Sequence, residues 1–389
     1  MIKIIFWSSF LILFYIYIGY PVLVWALSKA FSRPVQKEQV SPSVTFVVVA
    51  YNEEEYIGRK IDNILSLDYP KDKLEIIVGS DGSTDNTNEI LDIRSASHQV
   101  TKSHVGYRVV ISKQRRGKVS LLNEIVPEAK GEIIVFSDAR QMFDVAALKE
   151  LVANFADDSV GCVSGELIFK EEGASGVGKG VNIYWRYEKW MRKAEGSIHS
   201  MIGATGAIYA IRKDLFAPPP KDTILDDVFI PLKIVEQGFR AVFDPEAKAF
   251  DKAASTSREE FTRKVRTIAG NFQLFVLCRK LFNPFRSPVA FQFFSHKLLR
   301  AAAFLFLMAL FISNLLLMTH FPYNLIITAQ GLFYFLAIAG WALEKLSVKS
   351  KLCSIPYVFC VLNFAALKGF LNFLTGSHSV KWEKAMDRV

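Results

Sequence analysis

Histidine and cysteine are scarce in this sequence, six and four residues among 389. No histidine stands in a His-x-Glu or His-Glu-x-x-His pattern, and Cys162, Cys278, Cys353 and Cys360 lack metal-ligand spacing. Zinc chemistry is therefore disfavoured, and the cysteines read as reduced packing residues. Gly-x-Ser-x-Gly is absent, which argues against a serine hydrolase. The run Gly173 to Gly180, GASGVGKG, nearly completes a P-loop. It ends on Gly180 where a magnesium-binding hydroxyl is required, so a flexible glycine-rich loop is the plainer reading.

Charge is missing too, and in long blocks. Neither Ile4 to Ser28 nor Ala301 to Leu343 contains Lys, Arg, Asp or Glu, and ~20 apolar residues suffice to cross a bilayer. The first block is too long for a signal-peptide core, and ALSKA is a poor cleavage site, so an uncleaved anchor is expected. THFPYN (Thr319 to Asn324) divides the second block into two spans. Leu352 to Thr375 is a third, weaker C-terminal span, interrupted by Lys368. One Lys precedes the first block whereas Lys29, Arg33 and Lys37 follow it, which places the middle of the chain in the cytosol. The net charge is +9, with much of the basic excess between Arg258 and Arg300. That position suits anionic lipid headgroups and a phosphate-rich substrate better than nucleic acid.

Between these blocks, short apolar runs alternate with helical patterns. VTFVVVA, LEIIVGS, YRVVIS, GEIIVFS and VGCVSGELIF read as buried strands; EEEYIGRKIDNILSL and KVSLLNEIVPEA read as amphipathic helices. Repeated strand–helix–strand units predict an α/β domain with a mostly parallel sheet. The expected organisation is an anchor over residues 1–30, the α/β domain over 43–255, a basic interfacial segment over 256–296, C-terminal spans over 297–376 and a polar tail over 377–389. Within the domain, Glu53, Asp81 and Asp138 each follow or end a strand, and strand C-termini of a parallel sheet converge on one crevice. Each could alone be a helix cap; three together point to a ligand. No Gly-x-Gly-x-x-Gly follows the first strand, which disfavours a dinucleotide-dependent dehydrogenase.

AYNEE, DGSTD, RGKVSLLNE, SDAR, TGAIYAIRK and LDD stand in an order and at spacings that resemble the membrane-bound glycosyltransferases of family 2. The resemblance covers about residues 43 to 270 and implies a GT-A nucleotide-sugar fold. It assigns Ala50, Tyr51, Glu53 and Asp81 to the nucleoside, with Asp81 accepting a base N–H, and places Lys118 near the nucleotide. Asp138 matches the first acid of the family's D-x-D motif, but Arg140 occupies the position of the later, metal-ligating acid. Three readings stay open. Asp138 alone holds Mg2+ or Mn2+ with help from substrate phosphates, Arg140 itself pairs with the diphosphate, or Arg140 is an i,i+4 partner of Asp144. We favour the metal.

Asp227, with Asp226 beside it, aligns with the family's T-E-D, whose Asp deprotonates the acceptor; as residues alone the pair could equally cap the helix that Pro231 begins. Thr205, Gly206 and Ala207 would line the acceptor pocket. Arg266 matches the arginine of the processive synthases' Q-x-x-R-W and, with Arg263, would face the diphosphate; the Gln and Trp are absent. The aromatic stretch YWRYEKW (Tyr184 to Trp190) suits an interfacial anchor or a saccharide-stacking face. The expectation is an inverting transferase of the cell inner membrane, its catalytic domain cytosolic, moving a sugar from a nucleotide-sugar, a UDP-sugar by preference, to a polysaccharide or lipid-linked glycan. Membrane lipids, synthase subunits or a second copy are its expected partners. A polyprenyl-phosphate glycosyltransferase and a non-catalytic nucleotide-sugar-binding subunit are the alternatives.

Overall fold

The computed structural model describes residues 1–100, 104–170, 176–252, 257–346, 348 and 350–377. The expected tail, apart from Ser377, and the start of the glycine-rich run lie outside these residues. Eight strands, β1 (Val44–Ala50), β2 (Leu74–Asp81), β3 (Gly106–Ser112), β4 (Ile133–Asp138), β5 (Met142–Phe143), β6 (Val160–Lys170), β7 (Tyr209–Arg212) and β8 (Arg240–Lys252), form one mixed sheet in the order β3-β2-β1-β4-β7-β6-β8-β5. Helices α1 (Ile2–Ala30), α2 (Ile57–Ser66), α3 (Thr87–Val100), α4 (Lys118–Glu128), α5 (Ala147–Ala153), α6 (Gly176–Ile198), α7 (Asp226–Glu236) and α8 (Ser257–Leu277) accompany it. Then follow α9 (Ala290–Leu299), α10 (Ala303–Leu316), α11 (Tyr323–Lys345) and α12 (Leu352–Leu374).

β1 is buried on both faces because it runs parallel between β2 and β4. Side chains of alternate residues feed two apolar layers. One contains Val47, Ile77, Leu121, Ile125 and Phe136, the other Phe46, Val48, Ile61, Ile76 and Val135. The register fixes the crevice: Ala50 stands opposite Ser80 and Val49 opposite Asp138, so β1, β2 and β4 end together. β7 is antiparallel to β4, with Phe136 opposite Tyr209 and their rings stacked 4.6 Å apart. Since β7 begins where β4 finishes, the preceding segment, residues 205–207, arrives at the same edge. The four-strand parallel half agrees with the sequence reading; β7 and β8 are additions to it, and two of the three antiparallel pairings belong to β7.

α1, α11 and α12 are each long and apolar enough to cross a membrane. The expected first arm of the C-terminal hairpin differs. α10 has only 14 residues, about 21 Å of helix, and meets α9 at a 55° bend. The bend follows from composition: His296, Lys297 and Arg300 turn toward a polar cleft while Leu305, Met308 and Ile312 remain exposed on α10. α12 packs on α8 through Phe272, Phe370 and Phe373. α1 is joined to α6 by a hydrogen bond of 2.6 Å from the buried Tyr20 hydroxyl to Glu195 Oε1, which also contacts His296 Nδ1 at 2.8 Å.

Candidate active site

A cleft of about 430 Å³ opens along the common edge of β1, β2 and β4. Tyr51, Glu53, Asp81, Lys118, Asp138 and Arg140 all line it, as do Thr205, Gly206, Ala207, Asp226, Asp227, Arg263 and Arg266. Ala50 is the exception: as the last residue of β1 it points into the apolar layer beneath and does not line the cleft.

At one end, Asp81 accepts from the Arg116 and Gly117 amides, through Oδ1 at 2.7 Å and Oδ2 at 2.8 Å. The carboxylate thereby folds the loop entering α4 over the cleft, a use not foreseen from the sequence. The Arg115 guanidinium lies 3.7 Å from the Tyr51 ring centroid, an arrangement suited to stacking on a flat aromatic group. Only the neighbouring Lys118 was signalled by the RGK motif; Arg115 carries no pattern of its own.

Lys118 opens α4, and its ammonium lies 3.0 Å from Asp138 Oδ1 and 3.3 Å from Asp226 Oδ2. Burial alone would lower its pKa, but Asp138, Asp226 and Asp227 together hold it well above the ordinary lysine value. Asp138 is half-exposed at the cleft rim, whereas Asp226 is buried and its Oδ2 has no hydrogen-bond partner. The Arg266 guanidinium feels the same three carboxylates. No group of three or more His, Cys, Asp or Glu suited to a metal occurs among the described residues.

The loop carrying Arg140 is clamped from below. Lys60, fully buried, donates to the Gln141 carbonyl at 2.7 Å, and Asn63 exchanges two hydrogen bonds with the Phe143 backbone. β5 occupies residues 142–143, so no helix exists to bring Arg140 and Asp144 together as i,i+4 neighbours. Asp144 instead accepts from the Ala146 amide, and Arg140 faces the cleft. That reading of Arg140 is corrected.

Asp227 sits in the first turn of α7, as Pro231 required. Its Oδ2 accepts from the Gly206 amide at 3.0 Å. Burial, then repulsion from Asp226, pushes its pKa up to about 6 despite the opposing pull of Lys118. A carboxylate so tuned can take a proton near neutral pH. Gly206 permits the approach: a Cβ there would stand 3.2 Å from Asp227 Oδ2. Arg266 reaches the cleft from α8, donating to the Ile224 carbonyl at 3.2 Å, with its Nε buried and unpartnered.

Residues 45–216 match the family model for glycosyl transferase family 2. The chain is 25% identical over 311 residues to a probable glycosyltransferase, YdaM, of Bacillus subtilis (strain 168), covering 78% of this chain and 71% of that one. It is also 25% identical over 249 residues to the poly-beta-1,6-N-acetyl-D-glucosamine synthase of Staphylococcus aureus (strain COL), covering 63% of this chain. The aligned part spans 58% of that synthase. Among solved structures, a mannosyltransferase from Pyrobaculum calidifontis, in complex with GDP-Man and Mn2+, superposes with a TM-score of 0.74 at 22% identity. That match covers 97% of this chain and 100% of the other, and so supports a shared fold that takes in the GT-A-like sheet domain and the apolar helices. The strand-end half of the cleft thus falls within the residues that match the family 2 model, and the protein is a glycosyltransferase.

Proposed function

We propose that this is a membrane-anchored, inverting transferase that moves a sugar from a nucleotide-sugar, a UDP-sugar by preference, to a growing polysaccharide or lipid-linked glycan on the cytosolic side of the inner membrane. The observation that carries the reading is Asp227, a half-buried carboxylate near pKa 6 held by Gly206 within reach of the strand-end charges. Asp227 takes the proton of the acceptor hydroxyl as its oxygen attacks the anomeric carbon. The bond from that carbon to the diphosphate breaks on the opposite face, and the nucleoside diphosphate leaves with the electron pair. Arg266 and Arg263 face the departing charge, while Asp226 keeps Lys118 in place. Tyr51, Arg115 and the loop shaped by Asp81 hold the nucleoside; Glu53 closes that end, and Thr205 to Ala207 receive the acceptor.

Mg2+ or Mn2+ fits this donor set. The half-exposed Asp138 and the unpartnered Asp226 Oδ2 offer carboxylate oxygens, and a hard ion needs only one or two carboxylates when phosphates complete its shell. Asp138 would hold it, and the ion supplies positive charge to the diphosphate. Arg140 adds a fixed charge where the family's later acid would stand. α1 and the apolar C-terminal helices anchor the domain, and α8 lies between domain and bilayer.

Release of nucleoside diphosphate by the purified protein in lipid is the test, using a panel of UDP- and GDP-sugars with Mg2+, Mn2+ or EDTA. Release from one donor, lost in EDTA and in Asp227→Asn, is expected. Tight donor binding with no release, even with glycans and membrane lipids added, would replace this reading with a non-catalytic binding subunit.

A further inference from the structure

The far end of the cleft, away from Asp81, is built by α6, α9 and the bend before α10 rather than by the sheet. Arg192, His296, Lys297, Arg300 and Ala301 line it, with Glu188 as the acid among them. Glu188 is already committed, lying 2.6 Å from Arg300 and 3.4 Å from His296. The remaining acid nearby, Glu195, is bonded to Tyr20 and His296.

Lys297 is different. Its half-buried ammonium faces the cleft, and no hydrogen bond or ion pair joins it to another described residue. The charges that act on it are Arg192, Glu188, Asp227 and Glu195. A cation partly withdrawn from water, next to another cation and with Glu188 already paired to Arg300, can take an anion from outside. Asp227 lines the same cleft, so this subsite and the acceptor base share one cavity.

The approach to the subsite is apolar. α9 bends into α10, whose Leu305, Met308 and Ile312 are exposed at 47%, 49% and 53%. Ala301, at the bend, lines the cleft, and the apolar side chains that follow it on α10 offer a surface for a lipid tail. We infer that Lys297, with Arg192, forms an anion subsite that holds the phosphate of a lipid-linked acceptor beside Asp227. The inference rests on the reading of the cleft as a transferase site and adds the chemical class of its acceptor: an amphiphile bearing phosphate near the end to be glycosylated.

The test measures equilibrium binding without any donor, using the full chain in phosphatidylcholine nanodiscs. The probes are a polyprenyl monophosphate and the polyprenol of equal length, with phosphatidylglycerol and inorganic phosphate as competitors. The monophosphate should bind at least tenfold tighter than the alcohol. Lys297→Met should weaken it about tenfold to a hundredfold and leave the alcohol unchanged. Lys297→Arg, which keeps the charge, should retain binding and so separates charge loss from misfolding. Donor affinity should be the same in all three proteins. Equal binding of alcohol and phosphate would overturn the subsite. Competition by phosphatidylglycerol or by inorganic phosphate as strong as that of the polyprenyl phosphate itself would overturn the acceptor assignment, making the source a bilayer headgroup or free phosphate. Loss of donor rather than lipid affinity in Lys297→Met would assign Lys297 to the diphosphate. Because no donor is present, failure of sugar transfer would leave the binding result standing.

Discussion

Asp227 concentrates the chemistry and also strains the fold. Its pKa rises from 3.8 to about 6, so the native state releases this proton less readily than the unfolded chain does. Between those values the native state binds more protons, and stability falls as pH rises through the window. Asp227→Asn should therefore be more stable than the natural protein above pH 6, by roughly 1–3 kcal/mol in thermal unfolding. The same substitution should lower kcat by at least ~10²-fold, and kcat/KM of the natural enzyme should rise with unit slope up to about pH 6, then level. A pH profile with no break in that region would remove Asp227 as the base. Gly206→Ala tests the geometry: the added methyl displaces the carboxylate by a few tenths of an ångström. Activity should fall ~10-fold or more with little change in donor affinity, as titration against the nucleotide would report. Asp227 was legible because LDD precedes a helix-start proline. Lys297 was not, since its importance lies in what surrounds it in space, and its neighbours α6 and α7 are far away in sequence.

At the scale of elements, the loop from β4 to β5 is a small machine for aiming Asp138 and Arg140. α2 supports it with Lys60 and Asn63, and the Lys60 ammonium also lies 4.1 Å from the Phe143 ring centroid. Burial pushes the pKa of Lys60 down to about 7, so an uncharged replacement is tolerable in size and polarity. Lys60→Met should fold, yet it frees the Gln141 carbonyl and lets the loop drift. The expected result is weaker retention of Mn2+ and donor together, by ~10-fold, measured by titration with the protein's melting temperature as control. The parallel half of the sheet was readable because strands buried on both faces are continuous apolar runs. β7 and β8 were not read: YAIR is too short to show a period, and the alternation in β8 is broken by Asp244 and Pro245. The Arg140–Asp144 pair stayed open as one of three readings for a related reason, because a two-residue strand leaves almost no pattern.

For the molecule as a whole, the hydropathy blocks foretold the number of apolar helices within one but not how they attach. The chain-wide connection runs through the Tyr20 hydroxyl, Glu195 and His296, which join the first helix, the catalytic domain and the bend before α10. Tyr20→Phe leaves Glu195, fully buried, short of a donor. It should cost about 1–3 kcal/mol in unfolding measured in detergent, with the cleft's donor affinity unchanged. Unaltered stability would mean that the buried carboxylate finds another donor.

That three-way junction also sets an order of assembly. The ribosome makes Tyr20 first, Glu195 about midway and His296 late, and only then can Glu195 Oε1 have both its partners. The first helix must wait, its hydroxyl unanswered, until most of the chain has emerged. Assembly of this protein is thus timed in part by a long-range polar contact, and a nascent chain stopped before α9 would hold a nearly complete sheet with the seam to its first helix still open.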